Sequence, residues 1–468
     1  MNISNDVFIR TTQEEHKKAV QHLWNVMTEK GFIYLGTYEG WYSVRDECFY
    51  SESELINGKA PTGADVEWVA KEPSYFFKLS AFQDRLLEYY DQHPDFIAPS
   101  TRKNEVVSFV KTGLRDLSIS RTSFQWGVPV PGDANHVMYV WIDALTNYIS
   151  ALGYPQQDGD MSKFWPASLH VVGKDILRFH AVYWPAMLMA ADLPVPKRLF
   201  AHGWWTKDGE KISKSLGNVI DPVELVNEVN NMTCRRQAWC CQSLLKCGLL
   251  LRLDSHAISL TFYVFHTQFG VDQTRFFINA EVCFGNDGDF SEKAFIQRVN
   301  VNLANELGNL CQRTLSMVYK NCDQKVPIPG EFTKEDEDIL ESARGLHDRA
   351  GFYVSNQGLH RYAETMIGMV GETNRYIDSM EPWSLRKTDT ARMGTVLYVI
   401  MEVLRHVAIL YQPIIPTSAN KILDLLQVSP EERTFAHLTP EFSIREGVSI
   451  SKPTGVFPRI EVEEKVEA

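Results

Sequence analysis

The sequence predicts an α/β region followed by an all-α region. Between Phe124 and Val219, segments with strand and helix patterns alternate, a spacing that indicates a parallel sheet with helical crossovers. From about Glu292 to Leu426 the pattern becomes helical, with apolar residues three and four positions apart. At about 150 residues per domain, the 468-residue chain has room for roughly three domains.

The part of the chain before Phe124 is predicted to mix helices and strands. In order, its predicted elements are a strand at 7–10, a helix at 13–30, an aromatic β-rich stretch at 32–50 and a helix at 72–90. Gly31 directly follows the first helix, at a position where positive φ is favoured. Gly36 and Gly40 are expected to form turns within the β-rich stretch.

Three strands and two helices are predicted in the α/β region. The strands cover 137–142, 169–172 and 199–205, and the helices cover 143–152 and 174–191. In the helical region, the clearest core-facing helix ends before Pro413 and Pro416. Its apolar face consists of Val396, Leu397, Ile400, Val403, Leu404, Val407 and Tyr411.

Composition excludes several classes of protein. Hydrophobic residues make up 44% and charged residues 23%, as in soluble globular proteins. A net charge of −12 is unsuited to coating polyanions non-specifically, although a local basic groove would not be affected. Eight cysteines are too few for a secreted disulfide scaffold. No charge-free apolar window is long enough to span a bilayer, so no membrane partner is expected.

The clearest chemical motif is a Lys/Ser/Gly loop, 208–218, after the third predicted strand. Lys211 and Lys214 lie three residues apart, with Ser213 and Ser215 beside Lys214. Two lysines on such a loop can fold over a polyphosphate and stabilise the negative charge that develops as pyrophosphate leaves. By itself, the motif is also compatible with an ordinary exposed loop.

Two aromatic segments of the α/β region are candidates for a ligand pocket. Trp141, Ala144 and Tyr148 follow the first predicted strand, and ligands bind at the carboxyl ends of strands in open parallel sheets. Ile176 and His180, four residues apart, share a face of the next helix and could line the same cavity. The spacing alone is also compatible with an aromatic core cluster and a core histidine.

Together, these segments resemble the methionyl-tRNA synthetase family. Residues 211–215 and their flanks resemble the second signature of class I aminoacyl-tRNA synthetases, with Ile212 where Met is common. The other matching segments are 121–131, 139–148, 173–180, 184–188 and 284–289. The resemblance covers most of 1–228 and 269–460.

The resemblance implies an α/β plus all-α protein with a Rossmann-type parallel-sheet catalytic domain that is incomplete, a connective β-rich insertion and a helical anticodon-binding bundle. The implied parts are 1–37 (remnant of the first Rossmann half), 38–122 (connective domain), 123–228 (second Rossmann half), 229–268 (anomalous insert), 269–460 (stem-contact and anticodon-binding domain) and 461–468 (tail).

The resemblance also assigns residues to ATP and methionine. The methionine pocket would be formed by Trp141, Ala144, Tyr148, Ile176 and His180. A polarizable thioether suits such an aromatic cavity with few polar groups. ATP, with Mg²⁺, would be bound by Gly173, Asp175, Lys211, Ser213, Lys214 and Ser215. Lys211 and Lys214 would be the catalytic residues.

The helical region would read the anticodon of tRNA(Met). Asn309 and Arg313 share a helix face four residues apart, and Trp383 would lie near them. Unstacked RNA bases stack on aromatic side chains and are read by polar groups on their edges. Without the resemblance, Asn309 and Arg313 would be interpreted as an ordinary solvated helix face.

Two features depart from the family pattern. The opening strand and helix, with their His-x-Gly-His-type signature, have no counterpart, because Phe8–Thr12 already resembles the middle of the first Rossmann half. We therefore expect this chain to be N-terminally incomplete and inactive by itself. Residues 229–268, which contain four of the eight cysteines, have no counterpart either. They are interpreted as a retained intron or an alignment scar, with an inserted thiol or metal site as the alternative.

The connective segment 38–122 contains one cysteine, Cys48. A four-ligand zinc site cannot be built from it, so no structural zinc is expected. Zinc-free forms are common among bacterial-type and organellar members of the family. A mitochondrial or chloroplast location is therefore expected for the full-length parent, and a cytoplasmic one otherwise.

Two other functions remain open. A leucyl-, isoleucyl- or valyl-type synthetase would carry a large editing insertion, which the connective segment 38–122 is too short to contain. A non-catalytic tRNA-binding or scaffold protein derived from a synthetase would bind tRNA without forming an adenylate.

Overall fold

The computed structural model describes residues 3–45, 48–50, 52–207, 209–212, 217–223, 225–226 and 270–460. They form two compact units, residues 3–202 (the α/β unit) and residues 203–460 (the helical unit). Each unit contains its own hydrophobic core. The predicted succession of an α/β part and a helical part is confirmed. The expected insert and tail lie outside the described residues, and the finer domain bounds remain predictions.

The α/β unit contains ten of the described strands and most of the parallel pairing. The strands are β1 (Ile33–Ser43), β2 (Cys48–Tyr50), β3 (Glu67–Phe77), β4 (Ile97–Ala98), β5 (Leu117–Ser118), β6 (Ser120–Arg121), β7 (Pro129–Val130), β8 (Asp133–Met138), β9 (His170–Gly173) and β10 (Leu199–His202). The helices are α1 (Glu14–Glu29), α2 (Gln83–Gln92), α3 (Ser100–Lys111), α4 (Val140–Ser150), α5 (Gly159–Phe164) and α6 (Trp184–Ala190).

A three-stranded parallel sheet of order β4-β10-β9 lies in this unit. It ends with Gly173 of β9 opposite His202 of β10, so both residues lie at the carboxyl edge. The chain then continues from β9 through a 3₁₀ turn (Lys174–Ile176) and a π turn (Phe179–Tyr183) into α6. The predicted strand at 169–172 and the helical segment that follows it are confirmed.

The predicted strand at 137–142 is wrong over its second half. Strand β8 ends at Met138, and α4 begins at Val140 after the extended residue Tyr139. Moreover, β8 pairs antiparallel with β6 and β7 and does not belong to the parallel sheet. A short apolar run has the same pattern in a strand and in a buried helix, so periodicity could not locate the boundary.

Three predictions before Phe124 are also wrong. Residues 7–10 form no strand, and Phe8 is 72% exposed. The predicted helix at 72–90 is wrong over its first part, because β3 pairs antiparallel with β1 up to Phe77. Helical structure begins with a 3₁₀ turn at Leu79–Phe82, which leads into α2. Gly36 makes no turn but lies inside β1, where a Cβ atom would be only 3.2 Å from the Phe76 ring. Gly40 likewise lies within β1, beside a register shift.

The helical unit begins with two short strands, β11 (Trp205–Lys207) and β12 (Glu210–Lys211), to which β13 (Gly288–Phe290) adds as a third. The predicted strand 199–205 is therefore two strands, β10 and β11. The helices that follow are α7 (Gly270–Ala280), α8 (Glu292–Arg298), α9 (Asn309–Asn321), α10 (Lys334–Arg344), α11 (Leu346–Ser355), α12 (Leu359–Met380), α13 (Pro382–Thr388), α14 (Thr390–Tyr411) and α15 (Pro416–Leu425), with a π-helical segment at Val299–Gly308.

Helix α14 is the centre of this core. The seven apolar residues predicted for its buried face are each at most 1% exposed, and the helix ends at Tyr411 before Pro413. Among the described helices, it is the one long and apolar enough to cross a membrane, but 94% of that apolar window is buried inside the protein. It is therefore a core helix of the bundle.

Candidate functional site

Helix α4 presents three of the predicted pocket residues on one face. Trp141, Ala144 and Tyr148 are spaced three and four residues apart and are all half-buried. The Trp141 ring stacks on Phe179, with centroids 3.7 Å apart. The His180 ring centroid lies 6.1 Å from the Trp141 centroid and 5.6 Å from the Tyr148 centroid. The structure therefore brings the two aromatic segments together, as predicted.

A chain of two hydrogen bonds fixes the orientation of His180. Its Nδ1 lies 3.0 Å from the carbonyl oxygen of Ile176, and its Nε2 lies 2.7 Å from the Tyr148 hydroxyl. A carbonyl can only accept, so Nδ1 carries the proton and the Tyr148 hydroxyl donates to Nε2. Burial lowers the pKa of His180 and raises the pKa of Tyr148 to about 12. Both side chains are therefore neutral near pH 7.

Sequence reasoning missed two aromatic residues of this cluster, Phe179 and His170. Phe179 and His180 are adjacent in sequence and both contact the α4 side chains, which the π turn at 179–183 permits by re-aiming successive residues. His170 stacks on Tyr148, with centroids 4.0 Å apart. Burial and the neighbouring His180 lower the pKa of His170 to about 3. The sequence offered one indication of their role. Phe179 is next to His180, and His170 lies in the predicted strand that precedes segment 173–180.

Gly173 and Asp175 lie at the carboxyl edge of the parallel sheet. A Cβ atom on residue 173 would be 2.5 Å from Asp175 Oδ1, so only glycine allows the carboxylate to come so close to the backbone. Asp175 is exposed, and His202 of the neighbouring strand lies alongside. This edge is where open parallel sheets bind ligands. The placement is compatible with the predicted role at ATP, which remains a prediction.

Lys211 lies on β12 of a short hairpin. Its Nζ is 4.0 Å from the centroid of the Trp204 ring, a cation–π contact. Asp289 Oδ1 supports the hairpin by accepting hydrogen bonds from Thr206 Oγ1 (2.6 Å) and the Gly209 backbone N–H (2.9 Å). Ser213, Lys214 and Ser215 lie outside the described residues. The predicted phosphate-binding role of this loop remains a prediction.

The predicted anticodon residues Arg313 and Trp383 lie together in the helical unit. The Arg313 guanidinium carbon lies 5.3 Å from the Trp383 ring centroid, and Nη2 donates to Asp378 Oδ1 at 2.9 Å. Asn309 is exposed one helical turn before Arg313 on α9, and Trp383 is 40% exposed. An exposed indole beside a guanidinium, with an amide one helical turn away along α9, has the chemistry of a base-reading surface.

Within the described ranges, no group of three or more His, Cys, Asp or Glu side chains is placed to hold a metal ion. The side chain of Cys48 and the cysteines between 229 and 268 lie outside the described parts.

Two family models match the chain. The model of class I tRNA synthetases (M) matches residues 1–66, 50–236 and 254–315, and that of the anticodon-binding domain of methionyl tRNA ligase matches residues 326–468. The unmatched stretch 237–253 lies inside the expected insert, whose bounds of 229–268 remain a prediction. A match to the methionyl anticodon domain does not favour the leucyl, isoleucyl or valyl alternative.

Curated relatives and solved structures agree with these matches. The methionine–tRNA ligase of Rickettsia felis is 52% identical over 465 residues, which cover 98% of this chain and 83% of the relative. The methionine–tRNA ligase of Brucella suis is 50% identical over 471 residues, which cover 99% of this chain and 83% of the relative.

The structure of Mycobacterium tuberculosis methionyl-tRNA synthetase bound by methionyl-adenylate superposes with a TM-score of 0.86. It is 47% identical, and the match covers 98% of this chain and 84% of that one. Because identity near one half extends over almost the whole chain and both family models match, the chain belongs to the methionine–tRNA ligases, the methionyl members of the class I aminoacyl-tRNA synthetases.

Proposed function

We propose that this chain binds methionine between α4 and the helical segment 174–190 and activates it with ATP for transfer to tRNA(Met). The observation that carries this proposal is the neutral, hydrogen-bonded pair Tyr148–His180 beside Trp141. Because Tyr148 already donates to His180, the pair offers no strong unpaired donor, which suits a thioether, a weak acceptor. Charged side chains would lose their hydration in this cluster without gaining a partner.

In the first step, a carboxylate oxygen of methionine attacks the α-phosphorus of ATP. A C–O–P bond forms, the bond from the α-phosphorus to the bridging oxygen breaks, and pyrophosphate leaves with the electron pair. Lys211 and Lys214 would stabilise the charge that develops on the phosphates. Gly173 and Asp175 would position the nucleoside part of ATP, so that catalysis rests on orientation and charge stabilisation.

In the second step, a hydroxyl at the 3′ end of tRNA(Met) attacks the carbonyl carbon of the adenylate. An ester forms, AMP leaves, and the hydroxyl proton is lost. Neither step needs a protein nucleophile. Asn309, Arg313 and Trp383 would select the tRNA by reading its anticodon.

We also propose that Mg²⁺ accompanies ATP in the first step. Mg²⁺ usually retains waters and binds through substrate phosphates and one or two carboxylates. The described residues contain no dedicated cluster of metal-binding side chains, which is compatible with an ion carried by the phosphates. The ion would neutralise phosphate charge.

Methionine binding and ATP–pyrophosphate exchange test this function separately. Equilibrium dialysis with L-methionine should show saturable binding that L-leucine and L-glutamate do not displace. Exchange dependent on methionine would distinguish a ligase from a non-catalytic tRNA-binding protein. Methionine-dependent exchange by the purified chain would contradict the expectation from the sequence that it is inactive by itself. Methionine binding without exchange would contradict the activation step proposed above.

We also propose a mitochondrial or chloroplast location, supported by the lack of paired cysteines in segment 38–122. Immunoblotting of purified organelles tests it, and signal confined to the cytosolic fraction would contradict it.

A further inference from the structure

His16 is a buried residue of α1 that holds helix α4 through both of its ring nitrogens. Its Nε2 donates to Asp143 Oδ1 at 2.7 Å, because a carboxylate can only accept. Its Nδ1 hydrogen-bonds the Ser150 hydroxyl at 2.8 Å. The His16 side chain is fully buried, and the Asp143 side chain is only 16% exposed. Two such contacts on one helix fix its position more tightly than apolar packing alone.

The two partners of His16 lie on the face of α4 that points away from the pocket. Asp143 and Ser150 are seven residues apart, close to two full helical turns, so they lie almost above each other. At about 100° per residue, they face roughly half a turn away from Trp141 and Tyr148. His16 therefore bonds α4 on the face opposite the one that carries three of the predicted pocket residues.

The rotation of α4 decides whether the pocket assembles. Side-chain atoms lie about 6 Å from a helix axis, so a rotation of about 10° moves them by roughly 1 Å. The hydrogen bond from Tyr148 to His180 is 2.7 Å long, and the Trp141 ring stacks on Phe179 with centroids 3.7 Å apart. A displacement of 1 Å would break the hydrogen bond and separate the rings.

We propose that His16 is a positioning residue for methionine binding, which acts by locking the rotation of α4 from its rear face. This inference rests on the proposed function of the Tyr148–His180 pocket. It assigns a role in substrate binding to a residue of the first helix of the described chain. ATP affinity should not depend on His16, because Gly173 ends strand β9, Asp175 follows that strand, and neither residue lies on α4.

The test uses the full chain and measures the Kd of L-methionine and of ATP by equilibrium dialysis. His16→Leu removes both hydrogen bonds and should raise the Kd of methionine on the order of tenfold, the factor that one lost pocket hydrogen bond produces. The Kd of ATP should remain unchanged. His16→Gln can restore only one of the two contacts and should give an intermediate methionine Kd.

Val20→Ala is the matched control, because Val20 is also fully buried on α1 but forms no side-chain hydrogen bond to α4. It should lower the Tm without changing the methionine Kd. If His16→Leu does not fold, Ser150→Ala takes its place, since it removes one contact and leaves α1 intact. It should raise the methionine Kd severalfold.

Three results would overturn the inference. The methionine Kd could be the same in His16→Leu and the unchanged chain, both Kd values could rise together, or Val20→Ala could have the same effect as His16→Leu. Tyr148→Phe separates this from failure of the pocket. If Tyr148→Phe leaves methionine binding unchanged, or if the unchanged chain binds no methionine, the proposed pocket itself is wrong and the inference fails with it.

Discussion

The Tyr148 hydroxyl donates a hydrogen bond to Nε2 of His180 over 2.7 Å, and Nδ1 of the same ring donates to the Ile176 carbonyl oxygen. Both polar groups of the imidazole are therefore satisfied inside an aromatic cluster. The pair joins α4 to the helical segment after β9, so it connects the two segments proposed to bind methionine. Its geometry and its burial lead to separate predictions.

Tyr148→Phe should weaken methionine binding and also destabilise the protein. The change leaves Nε2 of His180 buried without a partner, which costs about 1–3 kcal/mol of unfolding free energy. Urea unfolding measures that cost, and equilibrium dialysis measures the methionine Kd. Tyr75→Phe is the control, because its hydroxyl donates to Asp133 Oδ2 elsewhere in the α/β unit. An unchanged methionine Kd in Tyr148→Phe would contradict the proposed pocket.

His170→Phe should reduce the loss of stability at low pH. Burial, with His180 nearby, lowers the pKa of His170 to about 3, whereas an unfolded histidine titrates near 6.5. Between these values the unfolded state binds the additional proton, so stability rises with pH by up to about 1.4 kcal/mol per pH unit. The contribution of neutral His170 to the free energy of unfolding is complete above pH 6.5 and is lost as the pH falls toward 3.

Thermal unfolding of the unchanged chain and of His170→Phe between pH 4 and 8 measures how the stability of each depends on pH. Phenylalanine keeps the stacking on Tyr148 but cannot be protonated. The gap between the two stability curves should therefore change steadily below pH 6.5 and remain constant above it. Parallel curves over the whole range would show that His170 is not held neutral by burial.

Arg313→Ala should weaken binding of tRNA(Met) without changing methionine binding. The guanidinium lies over the Trp383 ring, and its loss removes a polar group and a stacking partner, worth about 1–3 kcal/mol for one base. Fluorescence anisotropy at fixed ionic strength measures the affinity. Arg361→Ala, which removes an equal charge from an exposed pair with Glu364, is the matched control. Equal losses in both variants would indicate a general charge effect.

Arg392→Met should destabilise the helical unit strongly. Burial raises the pKa of Asp336, but hydrogen bonds from Arg392, Tyr376 and Thr333 outweigh it and leave the pKa below its usual value. Arg392 Nη2 lies 2.8 Å from the fully buried Asp336. Removing one partner of such a pair costs about 3–5 kcal/mol, against about 0–1 kcal/mol for an exposed pair.

Urea unfolding of Arg392→Met and of Arg361→Ala makes that comparison within one unit. The double variant Asp336→Leu and Arg392→Met should recover part of the loss, since no unpaired charge stays buried. If Arg392→Met lowers the free energy of unfolding as little as Arg361→Ala does, water must reach Asp336.

The interpretation of 229–268 as a retained intron or an alignment scar predicts a shorter transcript. Sequencing cDNA across this region should join Glu228 directly to Phe269. A cDNA that retains all 40 codons would contradict this interpretation and favour an inserted element.

Local pattern predicted the elements whose period was unambiguous. The apolar face of α14 was evident from the sequence because a helix buries residues three and four apart. The extent of α1 was predicted as 13–30 and is Glu14–Glu29 in the structure. The region around Pro73 was predicted incorrectly because its helical appearance was outweighed by pairing with β1, a contact between residues far apart in sequence. The end of β8 was placed too late for a different reason, because the short apolar run 137–142 has the same pattern in a strand and in a buried helix.

The sequence by itself determined the family and the order of the two units, because motifs such as 211–215 are contiguous and their chemistry is local. It also indicated which side chains of 141–148 and 176–180 belong together. Only the tertiary structure decided that Tyr148 donates to His180, that His170 is buried against Tyr148, and that His16 holds α4 from behind. Those relationships depend on the rotation of one helix against another, which packing of distant segments sets and no local spacing encodes.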